Sequence, residues 1–165
     1  MGSAAIQILK HMDCKVIAVT SSPAKVPYLE SLGADLVITN IVDFNRHASV
    51  QGGVDMVIEC TGGPTFLPSM RSLKSQGKLI LIGSLAGHFA KLPLGLTILN
   101  SLNIIGSDSV SHDVVPDVIA FLDKFEIKPS IQAIMPLESV AEAHLDLERK
   151  QVQGRIVLQV ADSDW

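Results

Sequence analysis

The feature that most narrows the fold of this chain is an alternation. Short, unbroken runs of Val, Ile and Leu near residues 16–19, 36–38, 56–59, 79–82 and 103–105 take turns with stretches of helical period. Continuous apolar runs of this length fit parallel strands covered on both faces. A half-exposed antiparallel strand would instead alternate apolar with polar residues. One helix is expected over 23–32, where Ser22-Pro23 supplies an N-cap and a first-turn proline and Gly33 a stop. Others are expected over 64–73, over 113–125 behind Ser111, and, shorter, over 44–50. This strand–helix alternation builds a three-layer α/β fold, a doubly wound parallel sheet with right-handed crossovers. Past residue 130 the pattern gives a strand at 131–135, a helix at 136–150, a break at Gly154 and a strand at 155–160, with a frayed tail at 161–165. The expected organisation is a main unit at 1–130 and a C-terminal helix and strand at 131–165.

Composition limits what such a sheet does. At 165 residues the chain holds one domain with a sizeable core, and 47% hydrophobic against 18% charged residues is apolar for that size. The excess points to a covered face, a dimer contact or a neighbouring domain. A net charge of −4 argues against a nucleic-acid surface. No apolar run reaches the roughly 18 residues of a membrane span, and no basic n-region precedes an apolar segment. Cys14 and Cys60 lack metal-ligand spacing and are expected as reduced thiols. These readings place the protein in the cytoplasm.

The first ten residues read as a helix starting at Gly2, followed by the strand Lys15-Val16-Ile17-Ala18-Val19-Thr20. In a dinucleotide-binding unit a helix in this place follows a first strand and a glycine-rich turn, and its N-terminus faces the pyrophosphate. Here the sequence opens on the helix, and Gly2 corresponds to the last glycine of that turn. The sheet is therefore expected to be truncated at its N-terminus. The second strand of such a unit usually ends in Asp or Glu, which binds the ribose hydroxyls of NAD. Thr20 takes that place, followed by Ser21, Ser22 and Lys25. A carboxylate would repel a 2′-phosphate, whereas hydroxyls and an ammonium donate hydrogen bonds and charge to it. Thr20, Ser21, Ser22 and Lys25 are thus read as a site for NADP in preference to NAD. The same residues also suit a plain helix start with a solvated lysine.

In this register the chain resembles the medium-chain dehydrogenase/reductases, a superfamily that includes zinc-type alcohol dehydrogenases and zinc-free quinone and enoyl reductases. The resemblance is carried by Gly2-Ser3-Ala4-Ala5-Ile6-Gln7, Leu32-Gly33-Ala34-Asp35, Asp55-Met56-Val57-Ile58-Glu59-Cys60-Thr61-Gly62 and Gly77-Lys78-Leu79-Ile80-Leu81-Ile82-Gly83. Towards the end it is carried by Pro136-Leu137-Glu138, Glu142-Ala143-His144 and Gln153-Gly154-Arg155-Ile156-Val157-Leu158. It implies a Rossmann-type sheet and a nicotinamide dinucleotide. It also implies Cys60, Thr61 and Gly62 along the cofactor ribose, Gly83 and Ser84 near the nicotinamide, Ser107 and Asp108 beside its carboxamide, and Arg155 reaching the pyrophosphate. Plain loop glycines and a solvated arginine are the alternatives for Gly62, Gly83 and Arg155.

Two departures follow from the same resemblance. The N-terminal catalytic domain, with its zinc ligands and proton-relay residues, has no counterpart here. His11, His47, His88, His112 and His144 form no cluster in sequence, so neither a catalytic residue nor a metal ligand is assigned. The first strand, which would lie between the runs at 16–19 and 56–59, is also missing. The function expected is the cofactor-binding part of an NADP-dependent oxidoreductase moving a hydride to or from an alcohol, aldehyde or activated alkene. A small-molecule substrate then requires a supplied catalytic domain. The alternative is a non-catalytic nucleotide-binding or dimerisation module, pairing as a homodimer through 92–108. A methyltransferase would favour an acid at Thr20, and no serine-hydrolase elbow or phosphate loop is present. A Ser-His-Asp set drawn from Ser107, Asp108, Ser109, Ser111, His112 and Asp113 would use sequence neighbours, whereas triad members converge from separate elements.

Overall fold

The computed structural model describes residues 1–50, 52–108 and 110–161; Ser109 and the tail beyond 161 lie outside the described residues. The chain runs α1 (Gly2–His11), β1 (Ile17–Val19), a 3-10 turn (Pro23–Lys25), α2 (Val26–Ser31), β2 (Leu36–Ile38), α3 (Phe44–Val50) and β3 (Val54–Glu59). It continues with α4 (Gly63–Arg71), β4 (Leu73–Leu81), α5 (Leu94–Leu99), β5 (Asn103–Gly106) and α6 (Val115–Lys124). The last elements are β6 (Ile131–Pro136), α7 (Val140–Glu148) and β7 (Arg155–Gln159). Every strand pairing is parallel. The α/β architecture is that of a Rossmann-like fold.

The expected gap is visible in the topology. Among the described residues the strands form three separate sheets, β1-β2, β3-β4-β5 and β6-β7. No hydrogen-bonded pairing joins β1 to β3. Two apolar clusters go with the first two sheets. Ile6, Val16 and Ala18 pack with Leu9, Leu29, Leu32 and Val37. Phe66, Met70 and Leu79 pack with Val57, Leu73, Leu81, Leu96 and Ile104.

Several elements differ from the sequence expectation. The helix expected over 23–32 is divided into the Pro23–Lys25 turn and α2. Pro27 has no N–H to give the Pro23 carbonyl, so an α ladder cannot pass through it. The Val26 N–H bonds that carbonyl in 3-10 fashion instead. β4 begins at Leu73, well before the apolar run at 79–82, with a register shift between Val54 and Met56. α5 lies within the 92–108 segment, where no helix is expected from the sequence.

Asp35 fixes α1 to the first sheet. Its Oδ2 accepts the Val16 N–H at 2.7 Å, and both its oxygens take the Lys10 ammonium at 3.0 Å. The Val16 amide, followed by Lys10, holds the carboxyl below its ordinary value. A lowered folded pKa adds stability above the unfolded value, near 3.9, and that stability is lost as pH falls through the folded value. Asp35→Asn is therefore expected to melt below the parent by a constant margin between pH 5 and 8. The margin closes below about pH 4, and thermal melts across pH check this.

Candidate functional site

Parallel pairing brings the loops after β3, β4 and β5 to the same edge of their sheet. Backbone hydrogen bonds lace them together: Ile82 N–H to Glu59 O at 2.9 Å, Ala86 N–H to Thr61 O at 2.8 Å, Gly63 N–H to Gly87 O at 3.0 Å, and Ser107 N–H to Leu81 O at 2.9 Å. The start of α1 joins them. A Cβ built on Gly83 would stand 2.6 Å from the Cys60 carbonyl oxygen and 3.2 Å from the Met1 methyl carbon. Met1, Cys60 and Gly83 thus meet at one corner. At Gly2 a Cβ would meet nothing within 4 Å, so that backbone is open to approach.

Gly62 has a structural requirement. Its φ is 99°, and a Cβ would strike the Gly87 carbonyl oxygen and stand 2.9 Å from Ser84 Cα. Only glycine adopts this conformation without strain. Burial pushes the Cys60 thiol up from its ordinary pKa, against the pull of the Met1 ammonium and with Glu59 pushing the same way. Cys60 is therefore a neutral thiol lining this corner.

The residue that organises these loops is one the sequence reading passed over. Glu59 is buried at the end of β3. Its Oε1 accepts the Thr61 N–H (2.8 Å), the Gly62 N–H (3.1 Å) and the Thr65 hydroxyl (2.8 Å). Its Oε2 accepts the Ser69 hydroxyl at 2.6 Å. The charge sits at the N-terminus of α4, where the helix dipole favours it. The sequence signal was an acid closing an apolar strand just before Cys60-Thr61-Gly62, with hydroxyls at 65 and 69.

Thr20, Ser21, Ser22 and Lys25 gather at the end of β1. The Thr20 N–H bonds Ile38 O at 2.9 Å, and its hydroxyl accepts the Ser22 N–H at 3.2 Å. Ser22 is the N-cap of the following turn but makes no side-chain capping bond, so the turn does not use its hydroxyl. Lys25 Nζ reaches across the chain to donate to Val152 O at 2.8 Å. That contact brings the segment leading into Arg155 beside the β1 corner. Arg155 is exposed at the start of β7, its N–H bonded to Ser130 O at 2.9 Å. Ser107 and Asp108 follow β5 and are exposed.

Among the described residues, no three His, Cys, Asp or Glu side chains gather as a metal ion would require. A hollow of about 400 Å³ between Asp55, Met56, Ser75, Gln76, Gly77 and Lys78 lies toward the start of β3. It contains none of the residues above.

Removing the Glu59 carboxylate leaves two N–H groups and two hydroxyls facing an apolar gap. Each unmet buried group costs about 1–3 kcal/mol. Glu59→Ala is expected to lower unfolding stability by about 3 kcal/mol or more. Glu59→Gln, which keeps one acceptor oxygen, should cost about 1 kcal/mol. Urea midpoints measure both, and equal small losses would remove Glu59 from this role.

Residues 1–124 match the family profile of the zinc-binding dehydrogenases. An acryloyl-coenzyme A reductase of Sulfurisphaera tokodaii is 32% identical over 96% of this chain and 47% of its own length. An alcohol dehydrogenase of Geobacillus stearothermophilus is 28% identical over 97% of the chain and 48% of its own length. The crystal structure of an NAD-dependent alcohol dehydrogenase superposes with a TM-score of 0.85 at 31% identity, over 96% of this chain and 48% of that one. The chain thus spans about half the length of the curated relatives it matches. It belongs to the zinc-binding dehydrogenase family and corresponds to the cofactor-binding part of the medium-chain dehydrogenase/reductase superfamily, whose members bind a nicotinamide dinucleotide.

Proposed function

We propose that this chain binds NADP, in preference to NAD, as the cofactor-binding part of an oxidoreductase. The observation that carries the reading is the meeting of Met1, Cys60 and Gly83 at the edge where the loops after β3 and β4 converge. Donor chemistry supports it. The start of α1 offers unpaired amides and no acidic residue in its first turn. Thr20, Ser21, Ser22 and Lys25 would take the 2′-phosphate, and Arg155 the pyrophosphate. Cys60, Thr61 and Gly62 would line the ribose, with Gly83, Ser84, Ser107 and Asp108 around the nicotinamide. When bound, the cofactor supplies hydride transfer, and the chain supplies position and charge. The substrate is an alcohol, an aldehyde or an activated alkene; among the relatives, one is named for an alcohol and another for an acryloyl thioester. A catalytic part beyond these residues must receive it. We place the protein in the cytoplasm; among the described residues no helix is long and apolar enough to cross a membrane.

A second property rests on its own observation. Ile98 and Leu99 on α5 are 73% and 85% exposed, and β5 is an open edge of its sheet. Two copies pairing through 92–108 would cover this face as a homodimer.

NADPH titration followed by nicotinamide emission is expected to give an affinity at least tenfold above that of NADH. Lys25→Met should weaken NADPH by about tenfold, the scale of one charge-assisted contact, and NADH far less. Equal binding of the two cofactors by the parent would overturn the NADP assignment. An equal loss of both in the variant would assign Lys25 to its Val152 contact alone. Light scattering should give a dimer that the double variant Ile98→Asp, Leu99→Asp converts to monomer; a monomeric parent would overturn the pairing.

A further inference from the structure

Ser84 Oγ lies 2.9 Å from His88 Nδ1, in the loop that follows Gly83. The pair is braced. The Gly87 N–H closes a turn onto Ser84 O at 3.1 Å, Ala86 N–H is fastened to Thr61 O, and Gly63 N–H is fastened to Gly87 O. These bonds tie the turn to the loop that Glu59 organises. His88 is exposed, so its ring exchanges protons with solvent. Among the described residues no carboxylate lies within ion-pair distance of it. Titratable groups at this edge include the Met1 amine, the Cys60 thiol and Glu59 at the end of β3, with Asp108 following β5 and Lys91 three residues along the chain from His88. Both oxygens of Glu59 are already occupied.

We propose that Ser84 and His88 form a proton relay carried by the cofactor-binding part itself. The inference rests on the reading above that Gly83 and Ser84 border the nicotinamide. In the reducing direction a bound cofactor would supply the hydride that a substrate C=O or activated C=C takes up. The π pair withdraws to the oxygen or the α-carbon, which then needs a proton. The Ser84 O–H bond breaks toward that atom, and its electron pair stays on Oγ. Oγ takes the Nδ1 proton of imidazolium His88, whose N–H pair stays on the ring. Neutral His88 is reprotonated by water. Oxidation runs the same transfers backwards, with neutral Nδ1 accepting the Ser84 hydroxyl proton. A ring nitrogen that donates in one charge state and accepts in the other suits this role.

The test is the titration of His88 in the full chain, followed by ¹⁵N-histidine NMR and assigned with His88→Gln. NADP⁺ and NADPH carry the same phosphates and differ in the positive charge on the nicotinamide. With NADP⁺ bound, the His88 midpoint should fall about 0.5 pH unit or more below its value with NADPH, the shift produced by one charge about 6 Å away in a water-like medium. Ser84→Ala should move the Nδ1 resonance of His88 and leave that of His144 in place. If both cofactors bind and the two midpoints coincide, His88 is remote from the ring and the relay is overturned, while the cofactor assignment stands. An unmoved Nδ1 resonance in Ser84→Ala overturns the pair itself. Failure of either cofactor to bind overturns the functional reading and the relay together.

Discussion

The site depends on the direction of the strands. In a parallel sheet every strand ends at the same edge, so the loops that leave the strands are neighbours whatever their separation in sequence. Cys60-Thr61-Gly62, Gly83-Ser84 and Ser107 become adjacent for this reason, and their backbones then hydrogen-bond to one another. Glu59 converts adjacency into fixed geometry. Four donors on one buried carboxylate leave the 60–62 loop little freedom, and the Thr61 and Gly87 links pass that rigidity to the loop carrying Ser84 and His88.

The same strand direction sets which backbone groups lie at the division between β1 and β3. Leu36 N–H bonds Val16 O, and Thr20 N–H bonds Ile38 O. By alternation the backbones of Ile17 and Val19 point away from β2. The Glu59 O to Ile82 N–H bond likewise sets Glu59 toward β4, so Met56 and Ile58 point away from it. Those groups would be costly if sealed from water. Val19 and Met56 are 39% and 41% exposed, so solvent reaches the edges of both strands. Among the described residues the interior accordingly holds two clusters, each built by two helices packing on one sheet. Joining them takes a strand that hydrogen-bonds on both sides.

What was legible in the sequence was what periodicity and punctuation encode. The five apolar runs all became parallel strands, although β3 and β5 keep exposed positions and are not covered on both faces along their length. Boundaries were harder. Pro27 split α2 from its first turn through a missing donor, a backbone effect that the apolar pattern does not register. The early part of β4, Leu73 to Gly77, reads Leu-Lys-Ser-Gln-Gly and carries little apolar signal; its pairing is imposed by β3 across a bulge. Glu59 escaped notice because an acid within an apolar strand reads as surface until its four donors are seen to converge. His88 escaped because its partner lies in a loop whose turn no local propensity announces.

Lys25 shows how a residue type can be right for a task and still have another. Its ammonium has three hydrogens, one of which is on the Val152 carbonyl. The positive charge remains at the β1 corner, since a neutral carbonyl does not cancel it. The same contact fastens the stretch before Arg155 to that corner, so the β6-β7 pair and the adenosine end of the proposed cofactor site are linked through one side chain. A ligand phosphate that drew Lys25 away would loosen this contact. The hydroxyls of Ser21 and Ser22 carry no such second duty, because the turn is closed by the Lys25 N–H on the Ser22 carbonyl rather than by a side chain. In the proposed site, discrimination between a ribose hydroxyl and a ribose phosphate would fall on the pairing of these hydroxyls with a tethered cation. That arrangement favours an anion through charge and limits its position through the tether.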